Sequence, residues 1–356
     1  MTETTRPEPT PATPPPATPP PVPASGGSAA SGAPGPDAPR ARPSRRTALA
    51  LGAGALVATG AGYGLGAADS AAAESRPGAD SRPGPRLRER PVVRRLRELE
   101  ESRRARLGAY AVDTVSGRAV LYRADELFPM CSVFKPLAAA AVLRAPDRDG
   151  TDPARRIRYT RADTEGSGYA PVTGLPENLA RGMTVEALCA AAVSHSDNAA
   201  ANLLLRELGG PDAVTRFCRS IGDRVTRLDR WEPELNSAEP GRTTDTTSPR
   251  AIGRTYARLL LGDTLARRDR TRLTRWMLDN TTNTERFRAG LPGWTLADKT
   301  GGGSAYGVAN DAGVVWSPEG TPVVMVVLTT HPGRPEGPGD NGLVAEAARL
   351  LGAALT

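Results

Sequence analysis

Val93, Leu96 and Leu99 recur at a spacing of three along residues 86–106, a stretch otherwise rich in Arg and Glu. That period predicts a helix with one thin apolar stripe and a solvated opposite face. Beyond it the apolar period shortens to two. Residues 107–113 and 118–122 flank Thr114-Val115-Ser116-Gly117 and predict a hairpin. Towards the other end, residues 295–299, 307–316 and 322–328 predict three more strands, the last with a Val-Val-Met-Val-Val centre suited to burial. Residues 341–355 read as an amphipathic helix. Between the strand-rich ends, helical spacing covers 133–143, 184–195, 198–208, 213–221, 249–261 and 268–278. Strands from both ends most simply join in one antiparallel sheet flanked by helices, with a helical region at about 131–290 inserted between them, an α+β fold.

No such pattern exists at the start of the chain. Of 34 prolines, 14 fall between Pro7 and Pro43, a stretch without Ile, Leu, Phe, Tyr or Trp, so nothing there offsets the entropy of ordering. Residues 1–43 are expected to be a disordered, polyproline-like tail. Ser44-Arg45-Arg46-Thr47 then precedes a Gly/Ala-rich apolar run over residues 48–68 and the small residues Ala71-Ala72-Ala73. This reads as a twin-arginine export signal over 44–73, recognised by the twin-arginine translocase and delivering a secreted, extracytoplasmic product. An uncleaved membrane anchor is the rival reading, since about 20 apolar residues span a bilayer. The glycine content favours the cleaved signal. Residues 74–90 read as a linker and 91–356 as the folded domain.

Net charge +7 raises the question of nucleic acid, and its location answers it. Residues 74–106 hold 11 Arg against 6 acids, whereas the 250 residues after them hold 30 basic against 29 acidic groups. The body is near neutral and lacks aromatic-basic interleaving, so no nucleic-acid partner is expected. Three cysteines, an odd number, with no C-x-x-C spacing and no cluster around His195 or His331, predict free thiols and no metal site. The 46 basic residues are 44 Arg and 2 Lys, Lys135 and Lys299. Arg cannot give up its proton and Lys can, which marks both lysines for chemistry.

Their neighbours carry motifs. Ser132-Val133-Phe134-Lys135 places a hydroxyl and an amine three residues apart at a predicted helix start, a nucleophile beside a base with no histidine. Ser196-Asp197-Asn198 sits between two predicted helices, and Lys299-Thr300-Gly301 ends a predicted strand. The three motifs stand 64 and 103 residues apart. In type, order and spacing they resemble the trio of class A serine β-lactamases and penicillin-binding proteins. The resemblance covers roughly residues 90–356. Arg230-Trp231-Glu232-Pro233-Glu234-Leu235-Asn236 with Asp245 also resembles the omega loop that marks the β-lactamases.

The resemblance implies acyl transfer. Ser132 attacks the β-lactam carbonyl, its proton passing to Lys135 or through water to Glu232. Backbone N–H groups of Ser132 and Gly302 form the oxyanion hole. Ser196 relays the proton to the ring nitrogen, and Asn198, Lys299 and Thr300 hold the substrate. Glu232 and Asn236 position the deacylating water, Arg230 and Asp245 close the loop, and the loop admits a cis bond before Pro233. No metal or organic cofactor is implied, and the product reads as a monomer. The chain departs from the family in lacking an Arg after Tyr306-Gly307, and Arg286 is the expected substitute for binding the substrate carboxylate. Gly302 stands where a hydroxyl residue is common, one residue looks inserted near Ser304-Ala305, and Tyr169 is a candidate aromatic gate. Two alternatives stay open: a D-alanyl-D-alanine peptidase, which has no need of Glu232, and a sensor that stays acylated.

Overall fold

The computed structural model describes residues 90–144 and 152–356. The Pro-rich tail (1–43), the twin-arginine segment (44–73) and residues 74–89 of the linker lie outside the described residues. The Arg/Glu-rich helix begins at Pro91, whose ring presets φ for a first turn and whose missing N–H would find no partner there. It ends at Arg103, with Arg104 in the left-handed conformation, and buries Leu96 and Leu99 of its apolar stripe.

Five strands form the sheet: β1 (Arg106–Asp113), β2 (Ala119–Tyr122), β3 (Thr295–Gly303), β4 (Val308–Trp316) and β5 (Pro322–Thr330). Their order is β2-β1-β5-β4-β3, every neighbouring pair antiparallel. The central β5 shows why its sequence is apolar throughout. Val323, Met325 and Val327 face the two terminal helices, Pro91–Arg103 and Asn341–Leu355. Val324, Val326 and Leu328 face the opposite core, which includes Ile252, Tyr256 and Leu259 of the helix Pro249–Leu260. Alternate residues point to opposite faces, and here both faces are covered. Each such side chain contributes roughly 1.5–3 kcal/mol on burial, so β5 joins the two halves of the core.

The inserted helical region differs from expectation in its short pieces. Phe128–Pro129 pairs with Thr246–Thr247, and Arg156–Ile157 with Met183–Thr184. Three short helices, Arg161–Gly166, Pro176–Arg181 and Phe287–Gly290, also appear. Elements of two to six residues carry no readable period. The helix expected over 133–143 is a 3-10 turn, Cys131–Phe134, leading into an α-helix, Lys135–Arg144. Pro136 therefore sits in a first turn, where its absent N–H breaks nothing.

β3 runs four residues beyond Lys299 to Gly303, where the sequence reading ended it. Its glycines serve close approach instead of termination. A Cβ at Gly301 would stand 2.9 Å from the Met130 carbonyl and 3.3 Å from the Ser132 nitrogen, so only glycine lets this strand lie against the Ser132 turn.

Candidate active site

A cleft of about 440 Å³ opens between the edge strand β3 and the helical region. Ser132, Tyr169, Ser196, Asn198, Asn236 and Arg286 line it, together with Thr300 and Gly302 of β3. Ser132 is carried by the 3-10 turn, which the sheet and a helix both hold. Asn310 of β4 donates to the carbonyls of Pro129 at 2.9 Å and Met130 at 3.3 Å, and Tyr256 donates its hydroxyl to the Val133 carbonyl at 2.6 Å.

Lys135 and Glu232 lie fully buried behind the cleft wall, Nζ to Oε1 3.1 Å. The sequence places Lys135 within reach of the Ser132 hydroxyl and leaves its proton to either Lys135 or Glu232. In the structure that hydroxyl donates to Glu232 Oε1 at 3.5 Å, while Lys135 donates to Asn198 Oδ1 at 2.6 Å and to the Ser196 carbonyl at 2.8 Å. The reason is electrostatic: a carboxylate and two carbonyl dipoles hold a buried ammonium better than a neutral hydroxyl does. Burial, opposed by Glu232, pulls Lys135 below the usual lysine value. Lys299 is pulled well below it, first by burial and then by the charges of Lys135 and Arg286. Lys299 donates to Ser196 Oγ at 3.0 Å and to the Thr300 carbonyl at 2.8 Å. The Ser196 hydroxyl thus lies between the two lysines, 3.5 Å from Lys135 Nζ. Cys131, next to the candidate nucleophile, is no competitor: burial pushes its thiol up to about 12, so it stays protonated.

Glu232 is fixed from both sides. Asn236 Nδ2 donates to its Oε2 at 2.5 Å, and Asn202 brackets its main chain, donating to the Glu232 carbonyl at 2.8 Å and accepting from its N–H at 3.0 Å. The Glu232-Pro233 bond is cis. Arg230 Nε meets Asp245 Oδ2 at 2.7 Å, while Asp245 Oδ1 accepts the N–H groups of Asp229 and Arg230 at 2.8 and 3.0 Å. Arg242 Nη2 adds a bond to the Leu235 carbonyl at 2.6 Å.

Asp197, the middle residue of the Ser196-Asp197-Asn198 motif, organises the opposite rim. It caps the helix Asn198–Leu208 through the Ala200 N–H at 2.8 Å and accepts from the N–H groups of Val172 and Thr173 at 3.0 and 2.8 Å. Asn198 N–H donates to the Tyr169 carbonyl at 2.8 Å, leaving the Tyr169 ring about half exposed at the cleft mouth. Both ends of the Asn198 amide are used within the protein, since its Nδ2 donates to the Ser167 carbonyl at 3.0 Å. Arg286 donates to the carbonyls of Gly301 and Asn310 and to Asn341 Oδ1, each at 2.7 Å. A Cβ at Gly302 would stand 3.1 Å from Arg286 Nη2, so the absent side chain there leaves room for the guanidinium. Beyond it the rim near Ser304 is pinned by residues 335–337, with Tyr306 N–H on the Pro335 carbonyl and Gly337 N–H on the Ser304 carbonyl, each at 2.9 Å.

Asn202 and Asn310 stand in none of the motifs, and Asp197, inside Ser196-Asp197-Asn198, carried no role of its own. Asn310 did leave a signal, since with Asp311 it forms a polar pair inside an apolar strand segment.

Comparison with known proteins agrees with this geometry. Residues 91–355 match the beta-lactamase enzyme family. A β-lactamase of Streptomyces lavendulae is 65% identical over 316 residues, 88% of this chain and 98% of that protein. The structure of the β-lactamase from Streptomyces albus G aligns with a TM-score of 0.72 at 64% identity, covering 74% of this chain and 99% of that one. A mutant of the last common ancestor of Gram-negative bacteria class A β-lactamase aligns with a TM-score of 0.69 at 47% identity, covering 74% and 98%. On family match, identity and fold together, the chain belongs to the beta-lactamase enzyme family.

Proposed function

We propose a division of labour for the reaction this enzyme catalyses, hydrolysis of the β-lactam amide bond. Ser132 Oγ attacks the lactam carbonyl, and the N–H groups of Ser132 and Gly302 receive the oxyanion. The hydroxyl proton leaves towards the Lys135–Glu232 pair, whose buried contact at 3.1 Å beside Ser132 is the observation that carries the reading. Ser196, between the two lysines, passes a proton to the ring nitrogen as the C–N bond opens. Lys299, Thr300 and Arg286 hold the substrate carboxylate, while Asn198 and Tyr169 border the side chain. Glu232, held by Asn236, then activates the water that cleaves the ester on Ser132. Residues 230–245 act as an omega loop closed by Arg230 and Asp245, and the enzyme works as a monomer. Steady-state turnover of benzylpenicillin and a chromogenic cephalosporin tests the reading. Many turnovers per enzyme support it, and a single stoichiometric burst with lasting adduct would favour the sensor.

The enzyme is exported by the twin-arginine route, supported by Arg45-Arg46 before the apolar run. Changing both to Lys is expected to leave activity inside the cell. Undiminished extracellular activity in that variant would require another route.

A further inference from the structure

Asp298 on β3 and Asp311 on β4 lie beneath the cleft wall, fully buried and outside every role assigned above. Register places Asp298 opposite Gly313 and Asp311 opposite Thr300, which makes the two a diagonal pair on one face of the sheet. Gly313 makes room for them, since a Cβ there would stand 2.8 Å from Asp298 Cβ. The oxygens of Asp298 accept from Asn280 Nδ2 at 3.0 Å and Asn283 Nδ2 at 2.7 Å. Asp311 Oδ2 accepts the Phe287 N–H at 3.1 Å, and its buried Oδ1 meets no donor among the described residues. As diagonal neighbours on one face of the sheet, with Asp311 Oδ1 left without a donor, the two carboxyl groups are placed to hydrogen-bond to each other. Two carboxyls can do so only if one carries a proton. The donors converge on Asp298, so the proton belongs on Asp311.

We propose that Asp298 and Asp311 share one proton, held on Asp311, and that this acid–carboxylate clasp positions the substrate-anchoring wall of the cleft. Asn280, Asn283 and Phe287 belong to the segment that also carries Thr282, hydrogen-bonded to the Thr300 hydroxyl, and Arg286, seated on the Gly301 and Asn310 carbonyls. The clasp fastens that segment to β3 and β4 and acts through Arg286 and Thr300, touching no substrate itself. The charged and titratable groups that act on it are Arg286 from the 280–287 segment, with Glu285 behind it, and, from the other face of the sheet, Lys299 of its own strand and Tyr256 of the helix Pro249–Leu260.

Burial raises both carboxyls, Asp311 well above the ordinary 3.8, with the Asp298 charge adding to it. The fold therefore keeps a proton that the unfolded chain releases above about pH 4, and stability attributable to the pair falls as pH rises from there. Asn at 311 can donate Nδ2–H to Asp298 and accept from Phe287 with no such proton.

Two variants of the full chain test the clasp. For penicillin hydrolysis at pH 7, which rests on the proposed role of the anchoring wall, Asp311→Asn is expected to keep kcat and KM within about threefold, while Asp311→Ala raises KM about tenfold or more with a smaller loss of kcat. Should the Ala variant not fold, two readouts independent of hydrolysis remain. The infrared difference between wild type and Asp311→Asn at pH 7 should contain a protonated-carboxyl band. The melting temperature of Asp311→Asn relative to wild type should climb from pH 4 to pH 8. A missing band, a pH-independent melting difference, or an Asn variant as impaired in KM as Ala would each overturn the clasp. A wild type that turns over no penicillin would overturn the site reading instead.

Discussion

On the helical wall of the cleft, Ser132, Lys135 and Glu232 bond chiefly to one another and to Ser196 and Asn198. On the sheet wall, Lys299 and Arg286 give most of their donors to main-chain carbonyls of Thr300, Gly301 and Asn310. Ser132, Lys135 and Glu232 can each take or release a proton, which suits proton transfer, whereas a cation seated on carbonyls has a fixed place and a fixed field. Both lysines are buried and both are pulled below the ordinary lysine value. What separates them is company: Lys135 is in contact with the Glu232 carboxylate, whereas the charges of Lys135 and Arg286 pull Lys299 down further, against the opposing pull of Asp298 and Asp311.

The largest expected effect breaks the helical wall. Lys135→Arg keeps the positive charge but cannot accept a proton and does not fit a site built for a compact ammonium. It should lower the acylation rate by roughly 10²-fold or more, the scale of losing a positioned acid–base group, as read by stopped-flow loss of substrate absorbance. A variant acylating at the wild-type rate would remove Lys135 from proton transfer.

Arg286→Ala probes the sheet wall. Loss of one charge-assisted bond of roughly 1.5–3 kcal/mol should raise KM for penicillins by about 10- to 100-fold with kcat little changed. An unchanged KM would leave Lys299 as the anchor. The smallest effect is expected for Lys299→Arg, where a fixed charge replaces a fixed charge. Activity should remain measurable, and losses equal to those of Lys135→Arg would erase the distinction between the walls.

Much of this was legible in the chain because the signals are local. The helix Asn341–Leu355 carries its own period, and β5 is an unbroken apolar run because both of its faces are covered. Ser132, Lys135, Ser196, Asn198 and Lys299 stand in compact motifs, and Glu232 with Asn236 stands in one loop. Asn202, Asn310 and the Asp298–Asp311 pair were not legible as functional. Each has its partner in a different element, brought near only by folding. The partner of the Ser132 hydroxyl stayed open between Lys135 and Glu232 for a related reason. Spacing within a helix shows which side chains share a face, but not that a carboxylate 100 residues later enters between them.

The account stands or falls on Glu232 as the group that clears the acyl-enzyme. Glu232→Ala leaves Ser132 and Lys135 in place and removes the base that activates water, a loss of on the order of 10²- to 10⁴-fold in deacylation. Intact mass spectrometry of this variant, seconds after mixing with benzylpenicillin, is predicted to show a penicilloyl adduct on Ser132 that wild type does not accumulate. Turnover at the wild-type rate with no adduct would contradict the account.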